Sequence, residues 1–225
     1  MTEPGHVSTA RAFYNATAEL YGQLIGTEVT AAIEGPVDRA LLAAFVECVA
    51  GATAGLVADV GCGPGRVAAF LAHHGLDVIG VDVSQAMLDL ARDAHPGIRF
   101  EEGRLTALPL PDKCLAGAVC WYSIIYTPPA HLDDVFAELG RVLAGNGYLL
   151  VAFQAGESEC VHRADAYGTG LPLTSYRHSP DEVARQLTAA GLEVRARAVR
   201  EPDLPHESTP QAFLLARAAP HASRG

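Results

Sequence analysis

Apolar residues recur along this chain with two alternating periods. Ala12, Phe13, Ala16, Leu20 and Tyr21 fall at helical spacing and predict a short amphipathic helix over 8–22. A stronger helix is predicted over 37–50, entered after Pro36 and ended by Gly51. Leu56-Val57-Ala58-Asp59-Val60 is then an unbroken run that stops at glycines, the pattern of a strand buried on both faces. Further runs of this kind at 78–82, 98–101, 116–121 and 148–153 are separated by helical patterns at 65–74, 84–94 and 130–143. Residues 155–178, rich in Gly, His and Tyr, read as irregular. A helix over 180–190 and two last strands, 192–199 and 212–217, complete the series.

Strands that alternate with helices across short connections call for right-handed crossovers, and hence for an α/β fold with a doubly wound, mostly parallel sheet of seven strands. The last two strands follow one another without a helix and are expected to pair antiparallel. The expected organisation is a helical cap at 1–50, a main domain at 51–218 with an insert at 155–178, and a frayed tail at 219–225.

Composition narrows the function classes. The chain has 225 residues, enough for a full core, and its formal charge of −10 lacks the basic face that a nucleic-acid binder needs. Arg195, Arg197 and Arg200, with Arg185 upstream, read as a solvated strand edge. The five scattered cysteines fit neither a metal site nor a disulfide framework, and the histidines show no ligand spacing, so no metal is expected. The opening Met1-Thr2-Glu3-Pro4-Gly5 lacks a basic and then apolar leader, and no run approaches bilayer length. The expectation is a cytoplasmic protein with a small-molecule partner, without nucleic acid or membrane.

The chemistry concentrates at Gly61-Cys62-Gly63-Pro64-Gly65-Arg66, a tight turn between a strand and a helix. That turn lies where open α/β sheets bind ligands, and its glycines let a ligand approach the backbone near a helix N-terminus. A dinucleotide fingerprint wants its third glycine at the sixth position, where this chain has the bulky Arg66. Asp82 ends the next strand at the offset expected of a carboxylate that accepts ribose hydroxyls, and its charge disfavours a 2′-phosphate.

Asp59 to Gly65, followed by Val81-Asp82-Val83-Ser84-Gln85-Ala86-Met87-Leu88, resembles the class I S-adenosylmethionine-dependent methyltransferases, of small-molecule type. The resemblance implies a Rossmann-like methyltransferase fold, with S-adenosyl-L-methionine as cofactor and S-adenosyl-L-homocysteine as product. It implies that Gly61, Cys62, Gly63 and Gly65 cradle the methionine part. Asp59 would orient the loop, and Asp82 would bind the ribose. Val83 and Met87 would flank the adenine, met also by the Arg104-Leu105 stretch, where Arg104 replaces an acid. Trp121 and Tyr122 would face the methyl group, Trp121 toward the cofactor and Tyr122 toward the substrate. Tyr14 and Tyr21 resemble the family's cofactor-covering helix, with Asn15 in place of an aspartate.

The insert holds the candidate substrate-side residues. His162 and His178 are candidate bases for an acceptor that must lose a proton. Arg163, Tyr167, Tyr176 and Arg177 are candidate substrate contacts, the arginines suited to a carboxylate or phosphate. Two other readings stay open: an NAD-dependent oxidoreductase, and a module that binds adenosylmethionine without catalysis.

Overall fold

A computed structural model describes residues 4–52 and 55–220; positions 1–3, 53–54 and 221–225, which include the first three residues and most of the predicted tail, lie outside the described residues. The helices are α1 (Gly5–Ile25), α2 (Pro36–Ala52), α3 (Arg66–His73), α4 (Gln85–Ala94), α5 (Leu132–Val142) and α6 (Pro180–Ala189). The strands are β1 (Leu56–Val60), β2 (Asp77–Asp82), β3 (Arg99–Glu102), β4 (Leu115–Trp121), β5 (Leu143–Gln154), β6 (Cys160–Arg163), β7 (Leu173–Tyr176), β8 (Leu192–Arg200) and β9 (Gln211–Ala218).

Seven strands form one sheet in the order β3-β2-β1-β4-β5-β9-β8. The pairs from β3 to β5 are parallel, and β9 runs antiparallel to both β5 and β8. The order reverses between β1 and β4, which opens a crevice beyond their carboxyl ends.

Alternation along the strands explains the two layers. Ala58, Val60, Ala118 and Cys120 face one side and pack with Leu132, Phe136 and Leu139 of α5 and Val183 and Leu187 of α6. Val57, Val119 and Trp121 face the other and pack with Phe45 and Val49 of α2, Val67 and Leu71 of α3, and Leu88 of α4. The two predicted cap helices therefore part company. Helix α2 belongs to the core, whereas α1 packs on α4 and reaches β7. Among the described residues no helix is long and apolar enough to cross a membrane.

The insert is not irregular as expected. Strands β6 and β7 form a separate antiparallel hairpin, with Cys160 opposite Tyr176 and Arg163 opposite Leu173. The strands are short and β6 is largely exposed, so there is no long apolar run to announce them.

A buried ionic cluster fastens α2 to the far edge of the sheet. Arg200 at the end of β8 donates from Nε to Asp38 Oδ1 at 2.7 Å and from Nη1 to Glu207 Oε2 at 2.7 Å. Backbone N–H groups of Asp203 and Leu204 also donate to Glu207. Burial raises the Glu207 pKa, but the Arg200 and backbone hydrogen bonds outweigh it and hold the carboxyl at about 2, below the ordinary 4.5. A lowered folded-state value gives stability that is present above pH 4.5 and lost as pH falls toward 2. Urea unfolding at a series of pH values is expected to show a flatter acid limb for Glu207→Gln, with about 3 kcal/mol of pH dependence removed across that window. An unchanged acid limb would sever Glu207 from acid stability.

Candidate functional site

The glycine loop follows from the end of β1. Gly61, Gly63 and Gly65 have φ of 77°, 52° and 84°, a left-handed region that L side chains rarely adopt. Gly61 and Cys62 donate backbone hydrogen bonds to Val81 O of β2, at 2.7 and 3.1 Å, which bends the chain back over the sheet edge. A Cβ on Gly61 would stand 2.2 Å from Ser123 Cβ, so the loop after β1 and the loop after β4 touch here without room for a methyl group. A Cβ on Gly63 would meet nothing within 4 Å, and Gly63 lines a cavity.

Asp82 ties the loop to the next turn. Its Oδ2 accepts from Gly63 N and its Oδ1 from Ser84 N, both at 2.8 Å. Burial raises its pKa, against the pull of those N–H groups. Ser84 caps α4 by accepting from Met87 N, and its hydroxyl donates to Asn15 Oδ1 of α1 at 2.8 Å. Asn15 Oδ1 also accepts from Ala86 N, so α1 is anchored on the turn that holds Asp82.

The cavity lies in the crevice between the β1 and β4 ends, under α1. Its wall includes Gly61, Gly63, Asp82, Val83, Met87, Arg104 and Leu105 along one side. Trp121, Tyr122 and Ser123 form its floor, and the Trp121 Nε1 atom is buried without a hydrogen-bond partner. Tyr122 takes φ of 58°, a strained conformation for a tyrosine immediately after β4. Tyr14, Tyr21, Tyr126 and Tyr167 close the cavity as a wall of edge-on rings, with centroids 5.4 Å apart for Tyr14–Tyr21 and Tyr14–Tyr126. The Tyr14 and Tyr126 hydroxyls hydrogen-bond to each other, and burial, then the neighbouring phenols, pushes the Tyr14 pKa well up.

Several residues singled out from the sequence lie outside this wall. Cys62 turns its sulfur into the core, close to Gly80, because the loop's φ values aim it down. Asp59 sits beneath the loop on the α3 face of β1, where its Oδ2 accepts from Ala68 N at 2.9 Å in place of a side-chain cap. Burial raises its pKa to about 7, against the Ala68 hydrogen bond and Arg66. Gly65 serves packing: a Cβ there would lie 2.9 Å from Phe100 Cζ.

The hairpin directs most of its polar residues away from the cavity. His162 is exposed and pairs with Thr174 across the hairpin, while Arg163 reaches Ser175 Oγ. Arg177 pairs with Glu159 at 3.5 Å, and Tyr176 stacks on His178. His178 is buried under the segment after β4, with its Nε2 on Ile124 O at 3.1 Å; burial lowers its pKa. The bridge between Ala155 and His178 explains the arrangement, since it folds the base of the insert back onto β5. Of the insert's candidates, Tyr167 alone lines the cavity.

Other wall residues escaped the sequence reading: His6, Glu34, Tyr126, Gln154, His206 and Gln211. Arg66 was visible only as an obstacle to a pyrophosphate. Gln154 and Gln211 face each other across β5 and β9, a pairing that needs the sheet order to be known.

Residues 57–147 match the family described as methyltransferase domain. The chain is 32% identical over 102 residues to the malonyl-[acyl-carrier protein] O-methyltransferase of Pectobacterium atrosepticum, covering 45% of this chain and 40% of that protein. It is 31% identical over 145 residues to the trans-aconitate 2-methyltransferase of Methylobacterium nodulans, covering 62% and 54%. The chain thus spans about half the length of the relatives it matches. Among solved structures, that of the [4+2]-cyclase SpnF superposes with a TM-score of 0.76 at 19% identity, over 98% of this chain and 99% of that one. The sheet order, the glycine loop with its aspartate and the match at residues 57–147 identify a methyltransferase domain in this chain, similar to those of the class I S-adenosylmethionine-dependent methyltransferases.

Proposed function

We propose that this protein transfers the methyl group of S-adenosyl-L-methionine to a small-molecule acceptor in the cytoplasm. The observation that carries the reading is the cavity at the β1/β4 switch point, lined by the glycine loop and Asp82 on one side and roofed by α1. The open space at Gly63 and the Asp82 carboxylate beside it fit a nucleoside ligand with polar groups. A formal charge of −10 supports a small-molecule partner over nucleic acid.

The bound cofactor supplies an activated sulfonium methyl, so the chain's task is to align an acceptor and keep water out; alignment alone is worth roughly 7–11 kcal/mol. Asp82, fixed by two backbone N–H groups, keeps lone pairs for ribose hydroxyls. Val83 and Met87 are placed to flank the adenine, beside Arg104 and Leu105. The tyrosine wall excludes water, which strengthens electrostatics inside. On the acceptor side stand Tyr122, Gln154, Gln211 and His6. His6 takes over the proton-accepting role assigned to His162 and His178. Burial, then the adjacent His131, lowers its pKa, which keeps it neutral and able to accept a proton.

Calorimetry is expected to show saturable binding of S-adenosyl-L-homocysteine and none of NAD. Asp82→Ala should weaken that binding by about 10- to 100-fold, the loss of charge-assisted hydrogen bonds. Incubation with methyl-labelled cofactor and a metabolite extract should move label into small molecules. Saturable binding without any transfer would instead favour a non-catalytic adenosylmethionine module.

Gly61→Ala should destabilise the fold by about 2 kcal/mol in urea titrations, from positive φ and the crowded Ser123 together. Adding Ser123→Gly should restore roughly half of that. No recovery in the double variant would mean that the contact between the two loops is not what excludes a side chain.

A further inference from the structure

The cavity has a polar end away from the glycine loop. Gln154 closes β5 and Gln211 opens β9, and the two are directly opposed in the antiparallel register. Strand β5 lies three strand spacings, roughly 14 Å, from the strand that ends in Asp82. Trp121 at the end of β4 pairs with Ala152, so Gln154 stands two residues further on, at the open edge of the sheet. The backbone there is pinned on both sides. Gln154 O accepts from His178 N at 2.9 Å, and Ala155 N donates to Pro210 O at 2.8 Å.

Gln211 is only 2% exposed, yet it lines the cavity. Its Nε2 donates to Thr209 O at 2.6 Å, and Thr209 Oγ1 donates to Ala155 O at 2.8 Å. A carbonyl can only accept, so this contact fixes which end of the amide is nitrogen. One N–H and the oxygen are left over, and among the described residues nothing donates to Oε1. The Gln154 side chain also lines the cavity and makes no hydrogen bond among the described residues. Two amides thus offer donors and acceptors together, and a buried amide carries its desolvation cost until they are met.

Hydrogen-bond chemistry and charge sort what could meet them. A carboxylate only accepts, so it leaves the Gln211 oxygen without a donor. Among the described residues it also finds no free guanidinium at this end. Arg66 is paired with Glu34, and Arg200 with Asp38 and Glu207. Arg104 follows β3, four strand spacings or roughly 19 Å from β5. An ammonium only donates, so it leaves the amide N–H groups unpaired. A hydroxyl donates and accepts through one atom. Val7, Ala10, Ile33 and Ile125 add apolar wall for the rest of such a molecule.

We propose that Gln154 and Gln211 are the specificity-determining pair of the acceptor site, selecting an uncharged, largely apolar molecule that presents a hydroxyl group. The assignment rests on the methyl-transfer reading for which end of the cavity takes the acceptor.

The test uses the full chain saturated with S-adenosyl-L-homocysteine, and calorimetry with four probes built on one ring system: 2-naphthol, naphthalene, 2-naphthoate and 2-naphthylmethylamine. The wild-type protein is expected to bind naphthol about tenfold more tightly than naphthalene or either ion. Gln154→Leu is the deciding variant, because that side chain holds nothing in the free protein. It should weaken naphthol by about fivefold and leave naphthalene within about twofold of wild type. Gln211→Met should act in the same direction, with adenosylhomocysteine binding as the check that it is folded. Tightest binding of naphthoate or of the amine overturns the proposal, since charge and not the amide pair would then select the acceptor. So does a Gln154→Leu protein that weakens all four probes equally, or none. Protein that holds adenosylhomocysteine but none of the probes overturns the assignment and leaves the methyl-transfer reading standing; protein that fails to bind adenosylhomocysteine removes both.

Discussion

One carboxylate organises this site. Asp82 ends β2 and accepts hydrogen bonds from Gly63 of the glycine loop and from Ser84 at the start of α4. Through Ser84 and Ala86 the same turn holds Asn15, and with it the helix that roofs the cavity. A buried carboxylate is costly unless its lone pairs are met. Backbone N–H groups from two turns meet them, so the carboxylate that lines the cavity also fixes the glycine loop beside it. The position of α1 over the crevice follows from the same chain of contacts.

The crevice itself is a property of the sheet. Where the strand order reverses, between β1 and β4, the helices that follow them, α3 and α5, pass to opposite faces of the sheet, and the two intervening loops approach one another. They approach closely enough that Gly61 has no space for a Cβ against Ser123, and Tyr122 is held at positive φ in the floor. Strain of this kind persists only where surrounding structure over-determines it. Here the Tyr122 N–H is tied to Ala152 O of β5, and the backbone has no freedom to relax. Four tyrosines from α1, the segment after β4 and the hairpin then enclose the space, with the Tyr14 and Tyr126 hydroxyls bonded to each other.

Charge is placed with equal economy in the periphery. Asp38, Arg200 and Glu207 tie α2, β8 and the approach to β9 into one cluster, and Glu207 also reaches the cavity wall. Arg200 had read as part of a solvated strand edge. Its side chain is 12% exposed because Asp38, distant in sequence, reaches over the end of the strand.

Much of this was legible in the sequence, and the reason is local. Runs such as 56–60 and 116–121, buried on both faces, and the glycine turn between strand and helix depend on neighbours in the chain, so fold class, the antiparallel last strand pair, Asp82 and the Gly61–Gly63 turn could be read directly. The hairpin could not, because its short strands are paired with each other through mostly exposed backbone. Nor could the roles of its side chains: whether His162, His178, Arg163, Tyr176 or Arg177 faces a cavity depends on how the insert folds back at Ala155 onto β5, a contact no spacing encodes. Tertiary structure alone brought Glu34 to Arg66, Gln154 to Gln211 and Tyr126 to Tyr14, since each pair joins residues whose separation in sequence is set by the packing of whole elements, not by the pattern within one.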